Sequence, residues 1–236
     1  MTRPAAGPPQ AGGLLLGAHV PVAGGLACAP ANGVAIGATA IQVFTRNHRQ
    51  WACKPLSADE PAAFRAALAA TGIGAVMAHA SYLINLASVS ADFLERSRQS
   101  LAEEVLRCHA LGIPYVVVHP GAHLGAGERE GLAAIVRSLD DVHQRAPRVS
   151  VRVLLEVTAG QGSCLGHRFE HLAEILARAK KWKERDDRVE IIDKKVDDHG
   201  MLAITSIYIR YLLPMMIEIQ WWDFKGMPRA DEAAAK

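Results

Sequence analysis

Lysine is nearly absent from the first three quarters of this 236-residue chain: residues 1–178 contain 14 arginines and a single lysine, Lys54. Cysteine is sparse too. Cys28, Cys53, Cys108 and Cys164 stand far apart, with no C-x-x-C pair. That spacing excludes a disulfide scaffold and reads as reduced thiols in a cytoplasmic protein. Net charge is low, at +2. Bulk charge therefore cannot grip a nucleic acid, and any such partner has to be recognised by particular residues. No G-x-G-x-x-G follows the first apolar run, which argues against dinucleotide binding. Residues 1–13, rich in Pro, Gly and Ala, lack the apolar core of a secretory signal and read as a flexible segment. Apolar residues make up 50% of the chain. Disorder is thereby excluded as the main state, leaving one large domain or two small ones.

Composition changes near residue 178. Residues 179–236 hold 7 lysines and 4 arginines, and only one of the ten histidines. The expected organisation is a flexible start (1–13), a main portion (14–178) and a divergent C-terminal segment (179–236). That last segment reads as a fusion, a frameshift or natural divergence. Within it, Ala179–Asp187 reads as a charged continuation of a helix, and Ala203–Leu213 and Met215–Gln220 as strands. The run Met201–Ile219 approaches membrane-spanning length, but Arg210, Pro214 and Glu218 interrupt it, favouring buried strands.

In the main portion, short apolar runs alternate with helical patterns. Leu14–Ala18, Ala40–Phe44, Ala75–Ala78, Tyr115–His119 and Arg152–Glu156 read as buried strands. Asp59–Ala70, Ser90–Leu111, Glu130–Gln144 and Phe169–Lys180 read as helices. Ser90 stands at a capping position, and Gly112 at a closing one. Repeated βα units imply a parallel α/β fold, open or closed into a barrel. The barrel is favoured because chemically capable residues sit at strand ends, where a TIM barrel builds its active site. These are His79, His119 and Glu156. Two imidazoles and a carboxylate suit zinc with a coordination position left open. Taken singly, each His reads as a hydrogen-bonded rim residue and the Glu as a cap or arginine partner. The joint pattern leaves metal binding and those readings equally open.

Five blocks then stand in order: Gly17-Ala18-His19-Val20 with Ala23-Gly24-Gly25-Leu26; Phe44-Thr45-Arg46-Asn47-His48-Arg49-Gln50-Trp51; His79-Ala80-Ser81-Tyr82-Leu83-Ile84-Asn85-Leu86; Val118-His119-Pro120-Gly121-Ala122-His123; and Glu156-Val157-Thr158-Ala159-Gly160-Gln161-Gly162-Ser163. Together they resemble the endonuclease IV family of apurinic/apyrimidinic endonucleases over residues 14–178. The resemblance implies a TIM-barrel (β/α)8 enzyme of the xylose-isomerase-like type, altered or incomplete after the fifth βα unit. It implies hydrolysis of the phosphodiester 5′ to abasic sites in double-stranded DNA, and three zinc ions in a monomer. His79, His119 and Glu156 match the family's first zinc site, with Glu156 also bridging to the second. Asn47, Arg49, Gln50, Tyr82 and Leu83 match its DNA-contacting loops. His19 matches a supporting rim histidine, and His123 fits a structural turn. Val157 and Cys164 stand where Asn is common.

The family's later ligands, an Asp-x-x-His pair, a further His, an Asp-x-His pair and a final Glu, are not found after residue 178. Asp193, Asp197, Asp198, His199 and Glu218 are the nearest substitutes there. About one zinc per chain is therefore expected, with weak turnover, no membrane partner, and association through open barrel edges as an option. The competing readings are a non-catalytic abasic-DNA binder and a metal-dependent sugar isomerase or epimerase. The loop of Asn47 to Trp51 argues against the last, because a sugar pocket has no use for a DNA-penetrating loop.

Overall fold

The structure, a computed structural model, describes residues 15–179. Five parallel strands form one sheet: β1 (Gly17–His19), β2 (Ala40–Val43), β3 (Ala75–His79), β4 (Tyr115–Val118) and a fifth, Arg152–Leu155. Their order in the sheet is their order in the chain. Helices follow them: α1 (Ala29–Ala35), α2 (Glu60–Ala69), α3 (Ala91–Leu111), α4 (Glu128–Arg145) and α5 (Phe169–Arg178). A two-stranded antiparallel pair lies outside the sheet. It joins β5 (Gly121–Ala122) to β7 (Cys164–Leu165), the Arg152–Leu155 strand being β6. The four cysteines are free.

Side chains alternate across this sheet, as the two-residue period of a strand requires. Ile41, Val43, Val76, Ala78, Val116, Val118, Val153 and Leu155 face the helices and join their buried residues in one large core. Ala40, Met77 and Val117 face the other way and pack with Leu15, Ala75, Tyr115 and Leu154 in a second cluster. These strands are apolar on both faces, which is why they read as unbroken runs in the sequence. Continuing the inward alternation by one step places His79, His119 and Glu156 at the C-terminal rim.

Helix ends follow local chemistry. The Ser90 hydroxyl accepts the Phe93 N–H (3.4 Å) at the start of α3. Gly112 closes it at φ 77°, a left-handed conformation that costs an L side chain energy. The first strand differs from expectation: β1 starts at Gly17, not at residue 14, and ends at His19. Gly17 allows that pairing, since a Cβ there would lie 2.5 Å from the Ala40 carbonyl oxygen. His79 is the last residue of β3 and does not follow it. Helix α1 is not among the helices expected from the sequence. Pro30 sits in the first turn, where its missing N–H costs nothing. Gly33 lets the helix lie against Ile41. The expected elements at 179–187, 203–213 and 215–220, and the flexible start, lie outside the described residues, apart from Ala179.

Candidate metal centre

Three adjacent strands deliver one ligand each. His79 ends β3, and His119 and Glu156 directly follow β4 and β6. Nε2 of His79 lies 2.9 Å, and Nε2 of His119 3.3 Å, from Oε2 of Glu156. Tetrahedral ligands ~2.0–2.1 Å from zinc stand about 3.3 Å from one another, so the spacing fits.

Proton bookkeeping strengthens the fit. Nδ1 of buried His79 lies 2.7 Å from the Ala80 carbonyl, which can only accept. Nδ1 therefore carries the proton, and in the neutral ring Nε2 presents a lone pair. Opposite it stands a carboxylate oxygen, also an acceptor. Two acceptors 2.9 Å apart require positive charge between them, a proton or a metal ion. Burial pushes the Glu156 carboxyl up, but hydrogen bonding to His119 and His79 outweighs it and holds the group at about 2. Glu156 is thus an anion in wait for a cation.

A second group, Glu128, His167 and His171, also converges. Its electronics are opposite. Nδ1 of His171 accepts the Gly166 N–H (3.1 Å), and its Nε2 lies 3.1 Å from Glu128. The Arg168 Nε–H also donates to this Nε2 (3.1 Å), so a cation already stands at the group. This group ties the first turns of α4 and α5 together, with the Arg168 guanidinium balancing Glu128.

Aromatic rings line the approach to the triad. The Tyr82 ring lies 5.1 Å from that of His79 and 5.5 Å from that of His119. Tyr82 is exposed, and burial followed by the Glu156 charge raises its hydroxyl pKa. Phe44, just after β2, touches four rings: His19 and His48 at 4.3 Å, Tyr82 at 5.5 Å and His79 at 5.6 Å. His19 is lowered by burial, against a hydrogen bond to Gln42. Phe44 and His48 carried no role in the sequence reading. The signal was the inward alternation of β2, in which Ala40, Gln42 and Phe44 share a face.

The loop residues sit where the motifs placed them. Asn47, Arg49 and Gln50 are exposed. The Asn47 side chain turns back to accept the Arg49 N–H (2.9 Å), which shapes the loop. Leu83 is half-buried, and its N–H donates to the Ser81 hydroxyl at 3.2 Å. That hydroxyl donates to the His48 carbonyl (2.7 Å), joining the two loops. Asn85 fastens the second loop to the third. Its amide accepts from Ala122 N–H (2.9 Å) and donates to Ala122 carbonyl (3.0 Å). His123 is structural: its Nδ1 accepts the N–H groups of Gly125 and Gly127. Asp193, Asp197, Asp198, His199 and Glu218 lie outside the described residues.

Known proteins place this arrangement. The xylose isomerase-like TIM barrel family matches residues 30–191, running past the composition break. A protein of Chloroflexus aggregans named probable endonuclease 4 is 46% identical over 159 residues, 67% of this chain and 56% of its own length. The chain thus matches little more than half of that relative. The crystal structure of endonuclease IV from Thermus thermophilus superposes with a TM-score of 0.61 at 37% identity, covering 69% of this chain and 59% of that one. A D-allulose 3-epimerase from Methylomonas shares the fold at 16% identity and a TM-score of 0.52, covering 71% of this chain and 59% of that one. By these matches the chain belongs to the xylose isomerase-like TIM-barrel family, where it resembles the endonucleases IV.

Proposed function

We propose that this chain recognises abasic sites in double-stranded DNA, as an endonuclease IV-type protein with one zinc site per chain. One observation carries the reading: the His79 imidazole and the Glu156 carboxylate face each other as acceptors, with Nε2 of His119 3.3 Å from the same oxygen, and call for a cation. Zinc is favoured because imidazole and carboxylate together suit a borderline metal ion. Bound there, zinc supplies Lewis acidity and a coordinated water of pKa near ~7.

The protein's own groups do the rest. The Ala80 carbonyl fixes the His79 tautomer, and Glu156 supplies the negative charge that balances the cation. Tyr82 and Leu83 fill space opened by unstacking, and Arg49 meets phosphate. A baseless nucleotide costs less to extrude than a paired one, which supplies the selectivity. The sequence after residue 178 lacks the motifs for two further metals. Losing one strong electrostatic stabiliser costs roughly 100–1000-fold in rate, so turnover falls by at least that much. This supports a second reading, a binder of abasic DNA that does not cut it.

Metal analysis and an incision assay on a synthetic abasic duplex test both. About one zinc per chain is expected, lost in His119→Ala, together with weak or no incision. Zinc near zero, unchanged by the substitution, rejects the site. Robust chelator-sensitive incision means that Asp193, Asp197, Asp198, His199 or Glu218 completes it.

A further inference from the structure

The geometry points to Arg107 as the positioning residue of the loop that carries Asn47, Arg49 and Gln50. The inference rests on the reading that this loop faces DNA. Arg107 lies on α3, and its guanidinium spans the base of the loop. One terminal nitrogen donates to the Thr45 carbonyl (2.7 Å), the other to the Lys54 carbonyl (2.9 Å). Its Nε donates to the Thr45 hydroxyl (3.3 Å). That hydroxyl in turn donates to Glu104, which is buried on the same helix. A single side chain thereby joins the two ends, residues 45 and 54, of the excursion that follows β2. Arg46 makes an inner clasp, donating to the Trp51 carbonyl (2.5 Å) and to Glu103 (3.1 Å).

The backbone of 45–54 forms no strand or helix. Its shape therefore depends on bonds outside any ladder: Arg107 and Arg46 hold its base, while Asn47 and Ser81 hold its middle. A planar fork with several fixed donors can reach two carbonyls at once, whereas an ammonium is a point charge. Ordering the loop before DNA arrives removes a cost that binding would otherwise carry.

The test compares wild type with Arg107→Lys and Arg107→Ala. Lysine keeps the charge beside Glu104 but loses the two-carbonyl span. In Arg107→Lys, amides of 46–53 should exchange hydrogen faster while those of β3 and β4 keep wild-type rates. Affinity for an abasic duplex should fall ~10-fold, as for loss of a charged hydrogen bond, with zinc content unchanged. The exchange arm needs no DNA. If wild type shows no abasic preference, the functional reading fails while the exchange data still decide the role of Arg107. Loop exchange equal to wild type in both variants overturns the inference. So does acceleration spread through β3 and β4, or failure of both variants to fold, since either makes Arg107 a core residue.

Discussion

Glu104 shows what a single buried group does to this fold. It is almost fully buried, and burial raises its pKa against the opposing effects of Thr45, Arg46, Arg107 and His79. An acid raised in the folded state holds a proton that the unfolded chain gives up above about 4.5. Its contribution to stability is therefore greatest at low pH and declines as pH rises through the folded value. Urea midpoints of wild type and Glu104→Gln, measured from pH 4 to 8, should diverge in that sense. The variant gains relative to wild type as pH rises, and a constant difference overturns the assignment. The same chemistry explains which residues were legible beforehand. His79, His119 and Glu156 announce themselves as polar groups ending apolar runs. Phe44 does not, because a phenylalanine after a strand looks like ordinary core. Arg107 does not either, since its targets are backbone carbonyls, which sequence cannot mark.

Among the elements, α3 is the most completely written in the sequence. Ser90 begins it and Gly112 ends it, as their residue types required. Gly112→Ala tests the ending. A left-handed residue with a side chain costs roughly 1–2 kcal/mol. Thermal unfolding should shift downward by the equivalent of that cost, with zinc content unaltered. No shift means that the turn relaxes to another conformation. Strand ends were less legible: the starts at Ala40, Ala75, Tyr115 and Arg152 match, but every C-terminal end is off by one residue, because hydrogen bonding and not apolarity decides where a ladder stops. The β5–β7 pair left no trace at all. Two residues are too few for a period, and the pairing spans more than forty positions of chain.

For the whole molecule, charge and partner have to be reconciled. Net charge is only +2, and Arg46, Arg137, Arg145, Arg168 and Arg178 each pair with an acidic group. Those five are engaged within the protein, and each phosphate contact made by another cation contributes a slope of about −0.9 in log K against log salt. Binding to intact duplex should therefore be weak, and the preference for abasic duplex clear at a fixed salt concentration. Equal affinity for the two removes the functional reading. The divided composition is a matter for the nucleotide sequence: recovery of Asp-x-x-His and Asp-x-His in another frame near codon 178 identifies a frameshift, and an intact frame without them rejects it.

The strand order has a temporal meaning. Within the five-stranded sheet each strand pairs with the sheet strand made before it, so a growing polypeptide offers the next one a finished edge. The triad is complete when Glu156 docks beside β4, while the last third of the chain is still to be translated. The three side chains of the candidate centre are thus assembled before the C-terminal segment is made.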